Sequence, residues 1–468
     1  VSEQLTYSED LDGDGLIDPA TESGLYAFTG LPRGAYEVRE VASASYRQAR
    51  PVGDGILPIG PAMQVNTTTE GRQERPAVAR CEDGRYVVAW DSDAAGPPSY
   101  DDVFARVYNA DGTPRTGEFQ VNVHTDEAQY RPEVAMAPNG DFVIVWESLK
   151  QDGDSSGVYA RRFWADGSAK GPEFKVNTHV VSSQCTPDVA LAPDGRFTVT
   201  WYSSHQGTAE GEIYAQRYNA DGTPDGGEFR VNTETKRLQL HPAVAYAPDG
   251  GSWIVWCDEA LGDWYWYGLS GQHYHADGTP DGGQRKLNAN DISSYVFRPT
   301  ISMDAAGRFV VSWTNSASSY RDVTARRFLP DGTPMGEEFQ VNTYAEDDQF
   351  ALDSASDASG RFPVIWYGEP ADEDVNRTYV RAYDAFGHPY GEESFLSPLA
   401  FGGRDGAIAV TPGGRIVAAF TGHDESGRGV FVQQFSLDGV YEIDLGVGET
   451  AEARDFADCP WAGVSGRV

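Results

Sequence analysis

The sequence predicts an all-β protein whose bulk is a seven-bladed β-propeller. Three observations predict it: an apolar-Asn pair that returns about every 55 residues, a tryptophan on the same period, and Asp-Gly or Asn-Gly turns between short apolar runs. Each unit is too small to bury a core alone, so the repeats must stack on one another.

The apolar-Asn pair stands at Val65-Asn66, Val121-Asn122, Val176-Asn177, Val231-Asn232, Leu287-Asn288 and Val341-Asn342, with a degenerate copy at Leu396-Ser397. Steps between the asparagines are 56, 55, 55, 56 and 54 residues. Trp90, Trp146, Trp201, Trp256, Trp313 and Trp366 follow in step, and Phe420 takes the seventh place. The units cover roughly residues 60–437.

Within one unit, Pro132 to Ala137, Phe142 to Trp146, Val158 to Phe163 and Glu173 to Asn177 read as four extended segments. Asn139-Gly140 and Asp166-Gly167 lie between them, and such pairs suit hairpin turns that need positive φ. The second segment is apolar at successive positions, as in Trp253-Ile254-Val255-Trp256, which calls for burial on both faces of the sheet. Blades packed around an axis supply that environment. A row of separate sandwiches predicts alternation and longer units instead.

Taking the Pro-x-Val-Ala segment as innermost strand A, the Trp segment as B, the Arg-rich segment as C and the Val-Asn segment as D leaves two orphans. Ala62 to Asn66 is a D strand with no blade, and Gly429 to Phe435 is a C strand without a D strand. The early strand is expected to complete the last blade and remove its exposed edge.

Charge and composition exclude several roles. The sum 36 − 71 = −35 repels phosphate backbones and anionic lipids, which argues against nucleic-acid partners. The longest apolar runs are about five residues, far from the roughly 20 of a spanning helix, which argues against membrane insertion. The chain opens at Val1 and reads as a mature product or a fragment. With lysine only at 150, 170, 175, 236 and 286, the acidic surface suits an extracellular, cell-surface setting.

The flanks carry their own pattern: Asp10 to Asp18, Gly24 to Val41, Tyr46-Arg47-Gln48, then Val440 to Leu445 and Arg454-Asp455-Phe456. In this order they resemble the B-type domain of serine-aspartate-repeat and collagen-binding adhesins, a small immunoglobulin-like β-sandwich. The resemblance implies that residues 1–57 and 438–458 are two parts of one such module, with the propeller of 58–437 inserted between them. Residues 459–468 follow as a tail. The family's opening strand is missing ahead of Val1, whereas Val464, Ser465, Gly466, Arg467 and Val468 form a segment of that type at the other end. That segment is expected to begin a next module or to complete a neighbouring copy by strand addition. The family's Lys-Asn cross-links are excluded, because neither half-module contains a lysine.

Asp10, Asp12, Asp14, the Leu16 carbonyl and Asp18 follow the spacing of a calcium loop closed by Thr21 where glutamate is usual, so Ca2+ is the expected structural cofactor. The Asp-Gly turns of the propeller recur with the blades and read as hairpins. Alternating strand directions place them on one face and the variable D–A and B–C loops on the other. There Trp264, Tyr265, Trp266 and Tyr267 form an aromatic group suited to a glycan or a surface protein. Cys185 and Cys257 map to the same face on adjacent units, where a disulfide is expected.

No HExxH, Gly-x-Ser-x-Gly or Asp-box pattern is present, and no catalytic residue is assigned. The sequence is therefore read as a non-enzymatic extracellular structural or adhesive protein, a stalk, filament or surface layer in which copies or tandem modules pair by strands and the propeller projects outward. Two alternatives stand beside it: an adhesin binding carbohydrate or protein through the variable-loop face, and a polysaccharide-acting hydrolase whose residues are dispersed around that face.

Overall fold

The computed structural model describes residues 4–5, 34–41, 56–93, 101–207, 210–235, 238–259, 267–289, 296–316, 320–344, 346–368, 376–396, 405–424, 427–437, 441–445 and 463–465. The chain divides into two compact units. One comprises 1–57, 390–392 and 436–468, the other 58–389 and 393–435.

The larger unit is a seven-bladed propeller of four-stranded antiparallel sheets. Blade 1 runs Gln73–Arg80 (A), Tyr86–Ser92 (B), Asp102–Tyr108 (C) and Phe119–Gln120 (D). Strands A of blades 2 to 6 are Gln129–Met136, Gln184–Leu191, Gln239–Tyr246, Val296–Met303 and Gln349–Ser354. Blade 7 takes Gly406–Val410, Arg415–His423 and Arg428–Ser436 from the end of the unit and Leu57–Gln64 from its beginning. The closure expected from the orphan strands is thus formed.

The reason for unbroken apolar B strands is visible in the packing. Val87 and Ala89 face blade 2, joining Phe142, Ile144 and Trp146 in one core cluster. Their neighbours Tyr86, Val88 and Trp90 face blade 7, against Val417 and Ala419. Both faces of every middle strand are therefore core, and burying one such aliphatic or aromatic side chain stabilises by about 1.5–3 kcal/mol. The six periodic tryptophans and Phe420 are all essentially buried.

The Val-Asn repeat has a hydrogen-bonding purpose. Each asparagine accepts the N–H that opens strand C, as Asn122 does from Val103 at 2.8 Å and Asn342 from Val323 at 2.7 Å. Its amide then donates two residues onward, for example from Asn122 to the His124 carbonyl at 2.8 Å. The arginines of strand C brace adjacent blades, with Arg161 donating to the Val121 carbonyl at 2.8 Å and Arg326 to that of Leu287 at 2.9 Å.

In the smaller unit, the described residues form one antiparallel sheet in the order Gln4–Leu5, Gly463–Ser465, Gly34–Val41, Tyr441–Leu445. The two flanks of the propeller therefore pair with each other, with Gly34 opposite Leu445 and Val38 opposite Tyr441. A second sheet, which a sandwich needs, is not among the described residues.

Candidate active site at the mouth of the central channel

In blades 1 to 5, strand A slips register against strand B at one place, between Glu74 and Ala77, Tyr130 and Glu133, Cys185 and Asp188, Leu240 and Ala243, Phe297 and Thr300. The skipped pair is always X-Pro, namely Arg75-Pro76, Arg131-Pro132, Thr186-Pro187, His241-Pro242 and Arg298-Pro299. Proline has no N–H for the ladder, which favours a bulge there. The residue before it takes φ of 50°, 53°, 49°, 52° and 48° in the five blades. Such values are uncommon for non-glycine residues and further disfavoured before proline, at a cost on the order of 1–3 kcal/mol each. The bulge re-aims each X side chain toward the propeller axis. All five line one cavity of about 400 Å³, at the end of the channel where the D–A and B–C loops lie.

The mouth of this cavity gathers three arginines, Arg75, Arg131 and Arg298, together with Asp405, whose carboxyl feels the charges of Arg75 and Arg298. Arg75 forms a two-pronged pair with Asp91 at 2.7 and 3.1 Å and reaches Asp101 at 3.1 Å. Arg131 pairs with Glu147 at 3.2 Å. The Tyr130 ring lies near both guanidiniums, 5.6 Å from Arg75 and 5.7 Å from Arg131. Arg298 is exposed over the Phe297 ring at 5.4 Å and has no ion pair among the described residues. Burial pushes the Asp91 carboxyl up, to about 7, while Arg75 and the Arg131 N–H pull it down. With donors on both of its oxygens, the carboxylate is the form this geometry serves.

His241 completes the mouth, its ring edge-on to Phe297 at 4.6 Å between centroids. Burial, reinforced by the charges of Arg298 and Arg131, lowers its pKa to about 4. The imidazole is therefore neutral at neutral pH and able to accept a proton.

Deeper in the channel the lining is acidic. Asp188 accepts the Val189 and Val244 N–H groups at 2.8 and 2.7 Å, and Asp353 those of Ser354 and Ile408 at 2.7 and 2.9 Å, so each stitches two blades together. Burial raises Asp188 to about 6 and Asp353 to about 7. Glu133 opens onto the cavity although protein surrounds it, and burial beside Asp188 and Asp353 moves its pKa far upward. It has no hydrogen-bond or ion-pair partner among the described residues.

The residues singled out from sequence fall elsewhere. The calcium loop of Asp10, Asp12, Asp14, Leu16 and Asp18 lies outside the described residues, as do Trp264, Tyr265 and Trp266. Tyr267 opens a strand opposite Glu259. Among the described residues no group of His, Cys, Asp and Glu is arranged to hold a metal ion. Val464 and Ser465 pair within this chain, opposite Gln4 and Arg39, while Gly466, Arg467 and Val468 lie outside the described residues. The expected Cys185–Cys257 disulfide is corrected: both thiols are free. Cys257 packs into the core shared by blades 4 and 5. The Asp-Gly pairs are turns, as expected, with Asp221 accepting the Thr223 N–H and hydroxyl at 2.8 and 2.6 Å.

Sequence reasoning passed over Arg75, Arg131, His241 and Arg298. Their signal was a variable, often charged residue immediately before the recurring proline of an otherwise constant strand.

No protein-family model matches the sequence, and no curated protein matches it. Solved structures do resemble the fold. A polysaccharide lyase described as an ulvan lyase bound to -[GlcA(1-4)Rha3S]- aligns over 82% of this chain and 98% of its own, with a TM-score of 0.52 and 10% identity. The polysaccharide lyase Uly1 aligns over 86% and 99%, with a TM-score of 0.52 and 12% identity. A protein of unknown function from Dyadobacter fermentans aligns over 82% and 99%, with a TM-score of 0.50 and 11% identity. At such identities the likeness is one of fold. The expectation of a non-enzymatic stalk or adhesin is nevertheless overturned by these matches, since propellers of this form include polysaccharide-cleaving enzymes, and neither the structural nor the adhesive reading is favoured by them.

Proposed function

We propose that this chain is a glycan-acting enzyme that cleaves an acidic polysaccharide by β-elimination at the channel mouth. The observation that carries the reading is one cavity lined by the His241 imidazole and the guanidiniums of Arg131 and Arg298, the latter without an ion pair among the described residues. The names of two propellers of similar fold, both polysaccharide lyases, support it.

In this mechanism Arg298 and Arg131 bind the carboxylate of a uronate residue. Neutralising that charge acidifies the adjacent C5–H, because the carbanion formed there delocalises into the carboxyl group. The bound carboxylate also offsets the two arginines, so the basicity of His241 rises when substrate is present. His241 takes the C5 proton, the C–H electron pair becomes the C4–C5 double bond, and the C4–O bond breaks. The imidazolium then gives its proton to the departing oxygen. Atoms and electrons balance without a redox partner, and the products are a saturated end and an unsaturated uronate.

Substrates of this kind lie outside cells, which keeps an extracellular location within the proposal. The test is incubation of the full chain with a panel of uronate-containing and neutral polysaccharides. Growth of the ultraviolet absorbance of unsaturated uronate, lost in His241→Gln, is the expected result. Cleavage that yields only saturated ends, or of neutral chains alone, overturns it.

A further inference from the structure

We infer that Asp91 and Glu147 are positioning residues that hold Arg131 at both ends and so aim the cationic side of the mouth, an inference that rests, for its part in turnover, on the function proposed above. Three side chains that directly follow a blade tryptophan do one common job. Each accepts an N–H at the same place of strand A on the next blade: Asp91 from the bulged Arg131 at 3.0 Å, Glu147 from the bulged Thr186 at 2.7 Å, and Thr314 at 2.9 Å from Ala351, which directly precedes the slip in blade 6.

A hydroxyl therefore suffices to satisfy an N–H at this place. In blades 1 and 2 the acceptor is instead a carboxylate, 2% exposed in Asp91 and 1% in Glu147. Burying a charge for a task that threonine performs elsewhere in the same molecule is costly unless the charge has a second use. The second use is on the page. Asp91 grips the Arg75 guanidinium from two sides, and Glu147 grips that of Arg131 at 3.2 Å. Arg131 is thus held by its backbone through one carboxylate and by its side-chain tip through the other. A flexible arginine fixed in this way loses less entropy on binding an anion, which is how preorganisation contributes to affinity.

The experiment uses the full chain carrying Glu147→Thr, which copies the residue blade 5 uses, and Glu147→Gln. The first readout needs no substrate: the His241 imidazole is followed by NMR as pH is varied. If Glu147 holds Arg131 near His241, release of Arg131 raises the His241 pKa in both variants. If Glu147 acts only through its own charge or only through the fold, removing that charge lowers the His241 pKa or leaves it unchanged, and the inference is overturned. The second readout is KM against kcat on whichever acidic polysaccharide is cleaved. A rise in KM and a fall in kcat that together lower kcat/KM by about tenfold are expected, the size of one charged hydrogen bond, and an unaltered kcat/KM counts against positioning. Absence of turnover in the parent chain together with a raised His241 pKa in the variants sinks the proposed function and leaves the positioning intact; the reverse pattern does the opposite. Should Glu147→Thr fail to fold, Glu147→Gln, which keeps an acceptor for the Thr186 N–H, carries both readouts.

Discussion

Asn66 accepts the backbone N–H of Val430 at 2.9 Å across 364 residues of sequence, just as Asn177 accepts that of Val158 at 2.8 Å within a single blade. The ring is shut by an ordinary intrablade contact made between the two ends of the propeller. Val65 reinforces it, donating its own N–H to the Val430 carbonyl at 2.8 Å.

Replacing Asn66 with alanine leaves the Val430 N–H buried without a partner, at about 1–3 kcal/mol. Asn177→Ala is expected to lose a similar amount in urea denaturation. Only Asn66→Ala should also expose the Leu57–Gln64 strand to a protease under native conditions, because only there does the contact keep a strand from leaving. Equal resistance of the two variants to proteolysis argues against closure by this contact.

Trp146 is fully buried and donates its indole N–H to Gln129 at 3.1 Å. Trp146→Ala should destabilise by about 3–5 kcal/mol in chemical denaturation. Trp146→Phe should cost distinctly less, since blade 7 accommodates Phe420 at the equivalent place. An alanine variant as stable as the parent speaks against a core built on this position.

His241 has a folded-state pKa near 4, below the roughly 6.5 of an unfolded chain. Between those values the unfolded state binds more protons, so stability rises with pH across this window and is lost as pH falls through it. His241→Gln should flatten this part of the stability–pH curve. An unchanged slope between pH 4 and 6.5 removes His241 from the linkage.

Arg298 has no ion pair among the described residues, and the proposed elimination uses it to bind the substrate carboxylate. Arg298→Gln should lower kcat/KM on an acidic polysaccharide by about 10- to 100-fold, the range of a hydrogen bond to a charged group. It should also raise the His241 pKa seen by NMR, because one of the charges that depress it is gone. Unaltered kinetics place the carboxylate elsewhere.

Loss of His241 itself should reduce the rate by about 100- to 10,000-fold, the usual contribution of general acid–base catalysis. A methyl-esterified polysaccharide separates the roles, since it carries no anion for Arg298 and should make the parent enzyme resemble the Arg298→Gln variant in steady-state assays.

The blades were legible because their determinants are local and repeated. The Asp221-Gly222 turn, the Asn122 clasp and the two-faced strand at Phe142 to Trp146 each require one residue type at one place, so the period appears directly in the chain. The channel mouth was less legible. Arg75, Arg131, His241 and Arg298 stand in different blades with no common spacing motif beyond the proline that follows each of them. Trp264, Tyr265 and Trp266, prominent in sequence, lie outside the described residues.

By itself the sequence determined the number of blades, the identity of their strands and the borrowing of an early strand to close the ring, since hydrogen-bond satisfaction and burial act on each repeat alone. Tertiary structure decided that five bulged positions line one cavity, that Arg75, Arg131 and Arg298 meet there above Glu133, Asp188 and Asp353, and that burial lowers the pKa of His241. Electrostatic fields and desolvation depend on distances between blades, and no single repeat contains those distances.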